Sequence, residues 1–213
     1  MRALTSEEVQ NLLNGVDKYS ELGKYMRLAI ISGLRVSEIL SIKWSDLMDI
    51  GKDGGSIPKN VLTIDRENLK GGKKKKIVEE SAEGDTKEKK VTISSRRIKL
   101  SNSYKEYLID YAKNNPIRGK YITVTDDTIR NNLATAMTKF NPSTYDDTVS
   151  SHSFRKFYAV KCYRLSGNDL TATQKMLSHK SVSSTGYYLS ATISDIDGLT
   201  TKLHESLAKD EIE

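Results

Sequence analysis

The spacing of apolar residues along the chain is predominantly helical. VQNLLNGV is preceded by Thr5 and overlaps Glu8, a Thr-x-x-Glu pair of the kind that caps a helix N-terminus reciprocally. SELGKYMRLAIISGL puts Leu22, Met26, Ala29 and Ile30 on one face, and Gly33 stands where such a helix would stop. VSEILSI predicts a short helix that ends at Trp44. GKDGG signals a turn, VLTID (Val61 to Asp65) reads as a strand, and KVTISSRRIKL predicts two short strands around an SSR turn. From Ser101 the helical period returns through SNSYKEYLIDYAK, DDTIRNNLATAMTKF, SSHSFRKFYAVKCYRL, DLTATQKML and SDIDGLTTKLHESLAK. The expected fold class is α+β, mainly α-helical, with a small antiparallel β-sheet at one side. No internal repeat or interdomain linker interrupts it, so residues 1–213 are expected to form one domain.

One segment breaks the pattern. Residues 68–90, NLKGGKKKKIVEESAEGDTKEKK, are poor in aromatics and rich in Lys, Glu and Gly, and read as a long mobile loop between strands. From Lys70 to Lys99 there are eleven Lys and Arg against five Asp and Glu, so this stretch alone equals the formal net charge of +6 on the whole chain. A concentrated basic segment suits a polyanionic partner such as nucleic acid, and equally a solvated lysine-rich loop without one.

The longest wholly apolar run near the front is Leu28 to Ile31, too short to span a membrane, and MRALTSEEVQ lacks the apolar core of a secretion signal. A single cysteine, Cys162, excludes an internal disulfide. These features imply a soluble, intracellular protein. Three histidines, widely separated, and no carboxylate cluster at metal spacing argue against a zinc or magnesium site.

Three short stretches could carry chemistry. In SHSFRKFYAVKCY, His152 and Arg155 are three residues apart and would share a helix face, anchored by Phe154, Phe157, Ala159 and Val160. An amphipathic helix with a cationic face has the same pattern. In SGLRVSEI, Arg35 falls at a helix junction where free backbone N–H groups and a guanidinium fork favour a phosphate. Glu38, one turn on, could pair with that arginine or cap the helix. In KMLSHKSVSSTGYYLS, His179 is followed eight and nine residues later by Tyr187 and Tyr188. A phenol, with a pKa of about 10, attacks only where neighbours ease loss of its proton. Packing is the alternative for any one of the eleven tyrosines.

Taken in order, SGLRVSEILSIKWSDL, HSFRKFYAVKCY and LSHKSVSSTGYYLS resemble the arginine, His-x-x-Arg and histidine–tyrosine boxes of the catalytic domain of the tyrosine recombinase (phage integrase) family. SSRRIKLS resembles the family's strand leading into the next helix. The resemblance runs from about residue 3 to about residue 190, and only the basic loop falls outside it. It implies that Arg35 and Arg155 grip the scissile phosphate, and that His152 and His179 hydrogen-bond it and help move a proton. It also implies that Tyr188, nine residues after His179, is the nucleophile, with Tyr187 a neighbour. The family's general acid is a β-hairpin lysine. Hairpin spacing before IKLS points to Lys90, with Lys89 adjacent, while KGGKKKK makes Lys70 and Lys73 rivals.

The resemblance further implies a site-specific recombinase or integrase, or a transposase of a mobile element. Such an enzyme acts on double-stranded DNA through a 3′-phosphotyrosyl link, without metal, ATP or other cofactor. A homo-tetramer on DNA, with a monomeric free chain, would act in the cytoplasm or nucleoid. A topoisomerase, a telomere resolvase and an inactive DNA-binding relative are the alternatives. The family's separate N-terminal DNA-clamping domain is not expected in these residues. The tail 194–213, with Ile196, Leu199, Leu203 and Leu207 near helical spacing, is expected to pack on its own domain or on a neighbour. Two departures stand out: Ser-Phe between His152 and Arg155, and Ser178 where the family usually has glycine.

Overall fold

A computed structural model describes residues 1–52, 54–64, 77–80, 86–89, 95–178 and 182–189, with the backbone alone at 77–80, 86–89, 182, 184, 187 and 188. The first helix, α1 (Ser6–Gly15), starts as the sequence predicts. Thr5 Oγ1 accepts from the Glu8 amide at 3.1 Å and the Glu8 carboxylate accepts from the Thr5 amide at 2.8 Å. The same carboxylate is buried at 1% exposure and takes two charged hydrogen bonds from Arg2, at 2.8 and 2.5 Å. Arg2 also reaches the Thr144 carbonyl at 2.6 Å and Asp146 at 3.0 Å, which pins the N-terminus to the segment before the seventh helix.

Burial alone would raise the Glu8 pKa, but the hydrogen bonds from Arg2 and Thr5 outweigh it and hold the carboxyl at about 2. A depressed carboxylate stabilises the fold fully above its unfolded value of about 4.5 and loses that contribution as pH falls toward 2. Thermal stability is therefore expected to drop through this window, and Glu8→Gln to flatten that drop while lowering the melting temperature at neutral pH. Melting curves at stepped pH check both.

Helix α2 (Glu21–Ser32) is capped by Ser20 and ends on Gly33 in the left-handed region, φ 58°. A Cβ at Gly33 would also run into the Tyr158 ring, so glycine is required there both by conformation and by close approach. Two short helices follow, α3 (Val36–Ser41) and α4 (Trp44–Leu47). Trp44 therefore begins a helix and does not end one. The Asp46 carboxylate accepts from the Lys43 amide at 2.8 Å, and Trp44 N–H donates to the Gly119 carbonyl, which restarts the backbone in a new direction. The indole stacks on Tyr111 at 4.6 Å and meets Tyr121 edge-on at 4.9 Å.

The β structure comprises three antiparallel pairs among the described residues: β1 (Met48–Ile50) with β2 (Ser56–Pro58), β3 (Val61–Ile64) with β6 (Arg96–Lys99), and β4 (Ile77–Glu80) with β5 (Thr86–Lys89). Three expectations change here. Flanking the GKDGG turn are β1 and β2, too short to show alternation. The segment 68–90, expected to be a loop, contains the β4–β5 hairpin; IVEE and TKEK hold two apolar residues between them, so hydrophobic patterning could not mark them. Finally, the SSR turn fails, because Arg96 is the first residue of β6 and pairs with Ile64 of β3. The strand expected just before that turn, in 90–94, lies outside the described residues.

The remaining helices are α5 (Asn102–Asn114), α6 (Asp126–Phe140), α7 (Ser151–Leu165), α8 (Leu170–Leu177) and α9 (Val182–Leu189). α7 is the pivot of the fold, packing against α2, α6, α8 and α9. It buries Phe154, Phe157, Ala159 and Cys162, but also Ser151, Ser153, Arg155 and Lys156. Such a helix is not a surface helix with one cationic face. Polar side chains enter its buried sides only where partners await them. The expected helix in 194–213 lies outside the described residues. No helix among them is long and apolar enough to cross a membrane.

Candidate active site

The residues flanking the ends of α2 and α8 build a charged cluster around one carboxylate. Arg35 is the N-cap of α3, two residues past the Gly33 stop. Its amide donates to Glu38 Oε2 and its Nη1 to Oε1, each at 2.8 Å. Glu38 is completely buried, while the Arg35 side chain keeps 23% of its surface exposed. Both roles left open for Glu38 in the sequence are present, the ion pair with Arg35 and the cap on its amide.

Arg155 approaches the same carboxylate from α7, with Nη1 4.0 Å from Glu38 Oε2. Its side chain is 1% exposed, and the guanidinium donates to the Gly33 carbonyl and, at 2.8 Å, to the Leu177 carbonyl. Leu177 is the last residue of α8, so Arg155 ties that helix end to the end of α2. Carbonyls in a last helical turn lack intrahelical donors and carry the negative end of the dipole, which suits a guanidinium. His152 sits in the first turn of α7, partly exposed, with its amide donating to Ser150 Oγ at 3.3 Å. The Tyr25 hydroxyl donates to the Ser151 carbonyl at 3.1 Å and braces that turn.

The structure thus brings Arg35 and Arg155 together and places His152 one turn before Arg155 on the same helix. Lys90, Lys70, Lys73 and His179 lie outside the described residues. Lys89 is the last residue of β5, described by its backbone alone. Tyr187 and Tyr188 lie in α9, which packs on α7 and α8, and their side chains are outside the described residues. Among the described residues no group of His, Cys, Asp and Glu could hold a metal ion.

Ser178 stands between α8 and His179 with φ 53° and ψ 41°, a left-handed C-cap. A side chain in this region costs about 1–2 kcal/mol, which glycine avoids. Ser178→Gly is therefore expected to raise the melting temperature by about 2–8 °C, read by calorimetry. The serine that departs from the family's usual glycine thus occupies a position whose backbone favours glycine.

One residue at this cluster was missed in the sequence. Arg96 is 8% exposed and donates to the Ser32 carbonyl at 2.6 Å and the Met176 carbonyl at 2.7 Å. Burial pulls its pKa below the usual guanidinium value, with Glu38 opposing that shift. Beside it is a cavity of about 460 Å³ bounded by Ile31, Tyr158, Lys175, Met176 and Ser178. The available signal was the period of two: Arg96 and Ile98 alternate with exposed Arg97 and Lys99.

The sequence profile of the phage integrase family matches residues 2–194. The chain belongs to the phage integrase family. Its fold is that of solved tyrosine recombinases, among them the XerA recombinase at 17% identity and a TM-score of 0.61, covering 95% of this chain and 65% of that one. The Tn1549 transposon integrase, solved in complex with a circular intermediate DNA, aligns at 15% identity and a TM-score of 0.57, over 93% of this chain and 66% of that one. The catalytic domain of bacteriophage HP1 integrase aligns at 15% identity and a TM-score of 0.55, over 94% of both chains. The chain thus spans just under two thirds of the XerA and Tn1549 structures and nearly all of the HP1 catalytic domain. No curated protein sequence matches it.

Proposed function

We propose that this phage integrase family chain is a site-specific DNA recombinase or integrase that breaks and rejoins DNA through a 3′-phosphotyrosyl link. The observation that carries this reading is the convergence of Arg35 and Arg155 on Glu38, at the end of the helix that also bears His152. Two guanidiniums around one buried carboxylate leave a positive balance that suits a phosphodiester whose charge grows in the transition state. Of the two guanidiniums, that of Arg35 is the more accessible to a phosphate.

In the proposed step the Tyr188 oxygen attacks phosphorus while the bond from phosphorus to the 5′ oxygen breaks. The phenol proton leaves toward His179 or His152, and the 5′ oxygen takes a proton from Lys90, with Lys89, Lys73 and Lys70 as the rivals for that role. A 5′-hydroxyl of a partner strand then attacks the phosphotyrosine, which restores the diester and the free phenol. The ester bond is exchanged, not hydrolysed, so the step requires no ATP, and no cofactor is assigned. Residues 1–213 act as one catalytic domain, and paired cleavages call for a homo-tetramer on duplex DNA in the cytoplasm or nucleoid. Support for a DNA partner comes from the Tn1549 complex and from the XerH recombinase bound to its difH substrate.

The test is a duplex carrying the element's end sequence, nicked beside the cleavage site so that the released 5′-hydroxyl fragment diffuses away. The wild-type chain is expected to accumulate a protease-sensitive adduct on the 3′ end left at the break. DNA binding without any adduct would instead favour an inactive DNA-binding relative.

A further inference from the structure

Two buried arginines bridge the same two helix ends one carbonyl apart, Arg155 through both Nη1 and Nη2 and Arg96 through Nη2 alone. Arg155 joins Gly33 O to Leu177 O, and Arg96 joins Ser32 O to Met176 O. The four acceptors are consecutive pairs at the C-terminal ends of α2 and α8. Both ends are closed by a left-handed residue, Gly33 at φ 58° and Ser178 at φ 53°. Directly beyond these stops the sequence delivers Arg35, two residues after Gly33, and His179, one residue after Ser178.

Arg96 reaches this seam from a third element. On β6 it takes an inward position on the face that sends Ile98 into the core, and its backbone is registered opposite Ile64 of β3. An inward arginine in a four-residue strand carries a desolvation cost that an apolar residue would avoid. Here the cost is offset by two helix ends whose carbonyls need donors. Arg96 also lies within electrostatic reach of Glu38 and Arg35. With Arg35 and Arg155 it makes three guanidiniums against one carboxylate, and three minus one leaves two positive charges.

We infer that Arg96 is a positioning residue for phosphoryl transfer: its guanidinium holds together the two helix ends from which the chain runs on to Arg35 and to His179, and adds a third positive charge to the cluster around Glu38. This rests on the recombinase reading above. Both bonds leave the same nitrogen, Nη2, and lysine would keep the charge on a compact, more strongly hydrated ammonium, so it is expected to replace Arg96 only in part. Arg96 touches neither DNA nor the reacting atoms in this account. Its loss therefore lowers the rate of the chemical step and not the affinity for DNA.

The experiment compares wild type, Arg96→Lys and Arg96→Met on the nicked duplex. Single-turnover adduct formation is measured at saturating DNA, DNA affinity by titration, and the folded fraction by melting curves. The expected result is a rate reduced about 10- to 100-fold in Arg96→Met and less in Arg96→Lys, with Kd held within about threefold, at a temperature where both variants are folded. A wild-type rate in both folded variants overturns the inference, as does a rate that falls only in step with the folded fraction. Should Arg96→Met fail to fold, Arg96→Lys decides between these outcomes. An absence of adduct with the wild type itself would remove the recombinase reading, which separates the two failures.

Discussion

Tyr188→Phe is expected to abolish covalent adduct formation on nicked DNA, by about 10⁴-fold or more, while Tyr187→Phe keeps it. The size of the effect follows from the chemistry. Removing the attacking oxygen removes the bond-forming atom, and the remaining positive groups can only bind the phosphate. A phenol with a pKa of about 10 needs help to lose its proton near neutrality, the part proposed above for the histidines. The two tyrosines are adjacent on α9 and cannot both face one phosphate, because successive helical positions diverge by about 100°. Parallel single-turnover assays of both variants check the asymmetry.

Glu38→Gln is expected to lower stability by about 3–5 kcal/mol, because it removes the buried carboxylate that compensates the charge of Arg35 and Arg155. The carboxylate is fully buried, 2.8 Å from Arg35 and 4.0 Å from Arg155. The amide is nearly the same size and can still accept from the Arg35 backbone, so the helix cap survives while the charge balance does not. A loss of that size corresponds to a fall in melting temperature of about 10 °C for a domain of this length. At a temperature where the variant is folded, adduct formation is expected to be about 10- to 100-fold slower, since Arg35 loses the partner that orients it. Melting curves and single-turnover rates measure the two effects separately.

The parts of this molecule that were legible in its sequence are those written in local chemistry. The Thr5–Glu8 capping box and the Gly33 stop appear where the residues say they should. So does the ion pair of Arg35 with Glu38, because an i, i+3 spacing across a helix start determines it. The helical cores of α2 and α7 followed from period, although α7 is buried on more sides than an amphipathic reading allows. What escaped was set by contacts distant in sequence. Trp44 begins a helix because Asp46 caps Lys43 and a carbonyl at Gly119 receives its amide. The β4–β5 hairpin has too few apolar residues to betray its pairing. Arg96 looked like part of a turn in a basic stretch, and only the pairing of β6 with β3 turns it inward to carbonyls on α2 and α8.

The most direct test of the central claim is to digest the adduct formed by the unmodified chain with trypsin and identify the nucleotide-bearing residue by mass spectrometry. The account predicts one modified peptide, with the phosphodiester link on Tyr188 and an unmodified Tyr187. A link on Tyr187, on a serine, or on any residue outside α9 would contradict it.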